Sequence, residues 1–253
     1  MNVISALSNV HLPCLFWGTD AIDLIHRPSK PTGRFNVHLH LLLADANIQS
    51  GAEAIVTSVP DIQAFTGGSD YWAELVFVPL EPPSFPNSIC LQVTRREHNG
   101  VLRNVFLHPQ SQFYFDIEDH TRSVPLQSFP EGTRLPTLSA FFDSIIEVHS
   151  DPPTGRDLRA LDCLLRDWLL HLVPGIQQLL PNGELKPRYL AIMESLKPEN
   201  RPYFEIMVKE LEIYSEKTLA TRQRRKEILH ELECVFFLLV VTKLANSNDV
   251  LLY

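Results

Sequence analysis

The hydrophobic positions of this chain follow one rhythm before residue 135 and another after it. In the first part they come in short runs between Pro, Gly and polar clusters, the spacing of strands and turns. Cys14 to Trp17 is an unbroken apolar run, the signature of a strand buried on both faces. Gly18 follows, then Thr19, a residue type that caps helix N-termini, then helical spacing at Ala21, Ile22 and Ile25. Pro28 and Pro31 end that helix, because proline removes a backbone donor and collides with the preceding turn. Phe35 to Leu43, FNVHLHLLL, alternates and then becomes continuously apolar, so it reads as a central strand. Asp45 and Asn47 lead into a helix over residues 48–56, and residues 57–70 read as a polar, Gly-rich loop. Further strands are expected over 71–80, 88–95 and 101–108, with a short helix over 2–10 ahead of the first strand. The order β-α-β-α-β-β-β points to an α/β or α+β sheet.

From Pro136 the apolar positions recur every three to four residues, as on helices. Leu138, Phe141, Phe142, Ile145 and Ile146 share one helical face, with Pro136 near the first turn. A second stripe runs through Leu158, Leu161, Leu165, Trp168 and Leu172 before Pro174 and Gly175 break it. Shorter helices are expected over 186–196 and 202–214, and a long one over 216–245. The chain therefore divides, on pattern alone, into an α/β part at 1–135 and an all-helical bundle at 136–253.

Composition narrows the function classes. A formal net charge of −8 argues against broad phosphate-backbone binding, so nucleic acid is not the expected partner. The basic run at 222–226 lies among glutamates and reads as a solvated helix face. Cys14, Cys90, Cys163 and Cys234 stand apart, in apolar settings and without a C-x-x-C pair. They read as buried, reduced thiols and point to an intracellular, cytoplasmic protein. Its longest apolar run, residues 234–241, falls well short of the roughly 20 residues of a bilayer span, so no membrane association is expected. The start of the chain lacks the basic and apolar regions of a secretory signal. An apolar stripe on the last helix is assigned to the core first and to a homodimer interface second.

Two places carry candidate chemistry. His38 and His40 fall on one face of their strand, about 6.5–7 Å apart at the usual rise, and could share a transition metal. Zinc would need a third ligand and usually a fourth, and His98, His108, Asp45 and Cys90 are the candidates. The alternative is a pair of hydrogen-bonded histidines lining a cleft or packed under a loop. Gly18 and Thr19 are the second place. They form either a tight strand-to-helix turn with an N-cap or a turn where a phosphate meets backbone N–H groups. Gly67 and Gly68 lack the lysine and the strand of a phosphate loop, and no serine stands in a G-x-S-x-G setting.

The stretch from Trp17 to Asp45 resembles the nucleotidyltransferase fold, in a divergent form found in fungal proteins. That resemblance rests on the Trp17-Gly18-Thr19 turn, the His38-Leu39-His40 triplet, the segment Val105-Phe106-Leu107-His108-Pro109 and the helix LPTLSAFFDSIIEV, and it covers roughly residues 12–148. It implies a nucleotidyltransferase-like mixed sheet followed by the helical bundle. It further implies a Gly turn approached by a triphosphate and a second strand whose carboxylates hold two magnesium ions. Here histidines stand in the carboxylate positions. Magnesium takes hard oxygen ligands, whereas imidazole suits zinc, copper, iron or nickel. A degenerate, catalytically inactive member is therefore expected, a pseudoenzyme that binds a nucleotide at Gly18 and Thr19 or a protein partner. The alternatives are a transition-metal protein using His38 and His40, and an active transferase drawing carboxylates from elsewhere, such as Asp20 or Glu74. The residues name no cofactor.

Overall fold

The computed structural model describes residues 3–26, 38–64, 87–94, 104–151, 165, 168, 172, 186–210 and 227–230. The expected strand over 71–80, Glu74, His98, Cys163, Cys234, the basic run at 222–226 and nearly all of the last helix lie outside them. By its internal contacts the chain falls into two compact units, Met1–Ile176 and Gln177–Tyr253.

The first unit is built on a seven-stranded mixed sheet. Its strands are β1 (Cys14–Trp17), β2 (His38–Leu43), β3 (Ile62–Ala64), β4 (Ile89–Val93), β5 (Asn104–Pro109), β6 (Ser123–Pro125) and β7 (Thr133–Pro136), in the order β3-β4-β5-β2-β1-β7-β6. β1 runs antiparallel to β2 and parallel to β7, while β2 runs parallel to β5. The central strands are apolar on both faces because both are covered. Leu41, Leu43, Leu91, Val105 and Leu107 join a core with residues of α1 (Val3–Asn9), α2 (Gly18–His26) and α3 (Ile48–Ser58). The opposite face carries an aromatic layer that includes Phe141 of α4 (Leu138–Ser150). α4 is buried without interruption from Ala140 to His149. Thr137 caps it, the side-chain oxygen accepting from the Ala140 N–H at 3.3 Å. Pro136 thus ends β7 one residue ahead of the cap instead of opening the helix.

Three strands differ from the sequence reading. β3 lies inside the expected loop at 57–70, and neither β6 nor β7 is signalled. Each is only three or four residues long, and SVP and TRLP offer too few apolar positions to set a period. Their places come from pairing: Leu15 stands opposite Arg134, and Val124 opposite Leu135. The helix at the turn begins at Gly18, so Thr19 sits inside its first turn and not ahead of it.

In the second unit α5 (Pro187–Ser195), a 3-10 turn at Pro198–Asn200 and α6 (Arg201–Glu210) follow one another closely. Arg201 joins the pair, its guanidinium donating to the Glu194 carbonyl at 2.9 Å and the Leu196 carbonyl at 3.2 Å. These carbonyls belong to the end of α5, where four acceptors lack an intrahelical partner. Among the described residues no helix is long and apolar enough to cross a membrane.

Candidate functional site

The aromatic face of the sheet is laid out by strand register. Side chains at paired positions project from the same face, so each row crosses several strands. One row holds Trp17 on β1, His40 on β2, Phe106 on β5 and Cys90 on β4. The next row on that face places Leu15 opposite Leu42 and Leu42 opposite His108. His38 pairs with Asn104 at the other end of β2.

His108 is what the structure brings to His40. The rings of His40 and His108 lie nearly parallel, 11° apart in plane, with His40 Nδ1 2.9 Å from His108 Nε2. Ser88 Oγ stands 2.8 Å from His108 Nδ1, and its hydroxyl donates to Gln112 Oε1 at 2.8 Å. Phe106 stacks on His40 with centroids 4.9 Å apart, and Trp168 meets His40 edge-on at 5.8 Å. Trp17 packs edge-on against Phe141 at 4.4 Å and is tilted against Phe113 at 5.2 Å.

Burial settles the protonation of this network. His108 has no exposed surface, and desolvation pushes its pKa down to about 3, so its ring is neutral at ordinary pH. A neutral imidazole has one N–H. Ser88 gives its own proton to Gln112, so His108 Nδ1 must carry the hydrogen that Ser88 Oγ accepts. His108 Nε2 is then the acceptor for the Nδ1–H of His40. Ser88, His108 and His40 have the outline of a nucleophile with a relay behind it, but not its chemistry. A base with a pKa near 3 draws no proton from serine at neutral pH, and the serine proton already points elsewhere.

The same network makes the fold sensitive to acid. The folded pKa of His108 lies below the usual 6.5, so between about 6.5 and 3 the unfolded chain takes up a proton that the folded chain refuses. Stability is therefore full above 6.5 and falls as the pH drops, by about 1.4 kcal/mol per pH unit for this group. Urea unfolding at pH 7 and pH 5 should show a loss that is about 2 kcal/mol smaller in His108→Gln than in the native chain. Equal pH dependence in the two proteins would mean that His108 is not held neutral.

Gly18, the first residue of α2, follows β1 with a φ of +61°, in the left-handed region that glycine occupies without penalty. A Cβ there would lie 3.0 Å from Trp168 Cζ2 and 3.3 Å from His40 Cδ2. The glycine is thus covered by the two rings, and the backbone approach that it permits is made by them. Asp20 is buried in the first turn of α2. Asp45, at the far end of β2, is exposed, and its Oδ1 accepts from the Ser111 N–H at 3.1 Å. Cys90 stands two strands from His40, and burial raises both its pKa and that of Cys14 to about 12, which leaves them as inert thiols. Among the described residues no group of three or more His, Cys, Asp or Glu side chains is placed to hold a metal ion.

Sequence reasoning named His40 and Gly18 but not their neighbours. The parallel pairing of HLHLLL with NVFLHP, which sets His108 beside His40, could have been sought from the two short apolar strands. Trp168 appears in the sequence only as one more position of a helical stripe.

No protein-family model and no curated protein matches the chain. Among solved structures, an antigenic nucleotidyltransferase-like protein from Paracoccidioides brasiliensis is similar at a TM-score of 0.36 and 14% identity, over 68% of this chain and 73% of that one.

Proposed function

We propose that this chain keeps the layout of a nucleotidyltransferase-like domain without its chemistry, and acts by binding a protein partner. The supporting observation is what stands against the Gly18 turn. The β1-turn-α2-β2 unit brings the second strand to the turn, as the sequence resemblance implies, but the side chain delivered there is His40, followed by the Trp168 ring. Nucleotidyl transfer stabilises charge on phosphate through positioned magnesium ions. An imidazole hydrogen-bonded to another imidazole offers neither the negative charge nor the hard oxygen that magnesium takes. On this reading Gly18 and Thr19 serve the entry into α2, and the ring network is a structural filling.

The test is pyrophosphate release from the four nucleoside triphosphates, with magnesium and then manganese, in the presence of broad acceptors. No release is expected. Release that disappears in Asp20→Asn would instead establish a transferase with a relocated carboxylate. Zinc supplies the remaining arm: a rise in unfolding temperature with zinc, lost in the His38→Ala, His40→Ala double variant, would establish the metal reading.

A further inference from the structure

A second feature of the same sheet face does not belong to the ring network. Asn104, the first residue of β5, has no exposed surface, yet among the described residues neither its Oδ1 nor its Nδ2 has a hydrogen-bond partner. A buried amide left with both functions unpaired is costly, because it has lost its hydrogen bonds to water without replacement. Such a group calls for a partner. Register supplies its setting. Asn104 stands opposite His38 on β2 and Gln92 on β4, and Gln92 stands opposite Gln63 on β3. Among the described side chains the row carries two further amides, Gln92 and Gln63, and no carboxylate, lysine or arginine. It runs alongside the Cys90–Phe106–His40–Trp17 row, in which Phe106 is a buried flat ring two residues from Asn104.

A carboxamide presents one donor and one acceptor side by side. Its complement is a planar edge with the same pair reversed, as in the bidentate contact of Asn or Gln with adenine. The absence of charge in the row disfavours a phosphate or a metal ion, both of which need charge-bearing partners. We propose that Asn104 is the recognition residue of a binding site for a small neutral planar molecule bearing a carboxamide or amidine edge. Gln92 on the neighbouring strand lies beside it, and Phe106 forms the adjoining wall. This site is independent of whether the Gly18 turn takes a nucleotide.

Two probes separate the sources of that edge: nicotinamide, which carries a carboxamide, and adenine, which carries an amidine. Each is titrated at millimolar concentrations into the uniformly ¹⁵N-labelled full chain. The readouts are unfolding temperature and the side-chain NH₂ resonances of Asn104, assigned by their loss in Asn104→Asp. One probe is expected to raise the unfolding temperature saturably and to move the Asn104 NH₂ pair. Its affinity is expected to fall about tenfold or more in Asn104→Leu, which fills the space but pairs with neither function. If Asn104→Leu fails to fold, the movement of the NH₂ pair in the native chain decides the matter. No response to either probe, or a response that leaves the Asn104 pair in place or survives in Asn104→Leu, overturns the proposal.

Discussion

Trp168→Ala is expected to cost about 3–5 kcal/mol of folding stability, the range for removing a large aromatic side chain from a closed core. Trp168 is wholly buried and touches His40 edge-on at 5.8 Å, with Phe113 and Phe141 tilted against it at 6.1 and 6.0 Å. It also lies against the Gly18 backbone, where its Cζ2 would be 3.0 Å from any Cβ. Its removal leaves a void lined by the His40, Phe113 and Phe141 rings and the Gly18 backbone. The stabilities of Trp168→Ala and Trp168→Phe from urea unfolding check this. The phenylalanine variant should recover part of the loss. A cost below about 1 kcal/mol for alanine would mean that the indole is a surface residue, in conflict with its place over the turn.

Gly18→Ala should cost about 2–5 kcal/mol, from two separable causes. The left-handed φ of +61° is penalised by roughly 1–2 kcal/mol for any L side chain. The remainder, about 1–3 kcal/mol, is overpacking against Trp168 and His40, which must yield by tenths of an ångström. A double-mutant cycle separates the two. In a Trp168→Leu background the overpacking part should shrink while the backbone part stays. If Gly18 served only to admit a phosphate, alanine would cost the backbone part alone, and the cost would not change when Trp168 is replaced.

These two residues also show where sequence reading succeeds and where it stops. The run CLFW, the Gly turn, the alternation of HLHLLL and the stripe of LSAFFDSIIEV are local patterns, and each is found as strand, turn, strand and helix. Local pattern also put His38 and His40 on one strand, and both fall in β2. It could not supply β7, which lies beside β1 only through long-range pairing, nor β3, which is too short to announce itself. Pairing His40 with His108 required knowing that β2 and β5 are neighbours in parallel register, and a sequence gives the strands without their order. The covering of Gly18 by Trp168 joins residues 150 positions apart by sequence number, so no spacing rule reaches it. The neutral state of His108 follows from burial, which is likewise a property of the assembled fold.

The ring network has a consistent physical logic. Burying a histidine is costly unless it is hydrogen-bonded, and more so if it is charged. His40 and His108 are hydrogen-bonded to each other, and His108, held neutral by burial, donates to Ser88. Stacking with Phe106 and edge contact with Trp168 add apolar area around them. The result is a face packed with aromatic and imidazole rings around Trp17 and His40.

The most direct test of a covered, non-catalytic Gly18 turn is thermal unfolding of the purified chain with each nucleoside triphosphate and magnesium. Anything that binds the native state raises the midpoint by mass action. No shift is expected at millimolar nucleotide, because His40 and Trp168 occupy the approach to Gly18. A saturable rise with one triphosphate, lost when Gly18 is replaced by valine in a variant that still folds, would contradict the covered turn and restore it as a nucleotide site.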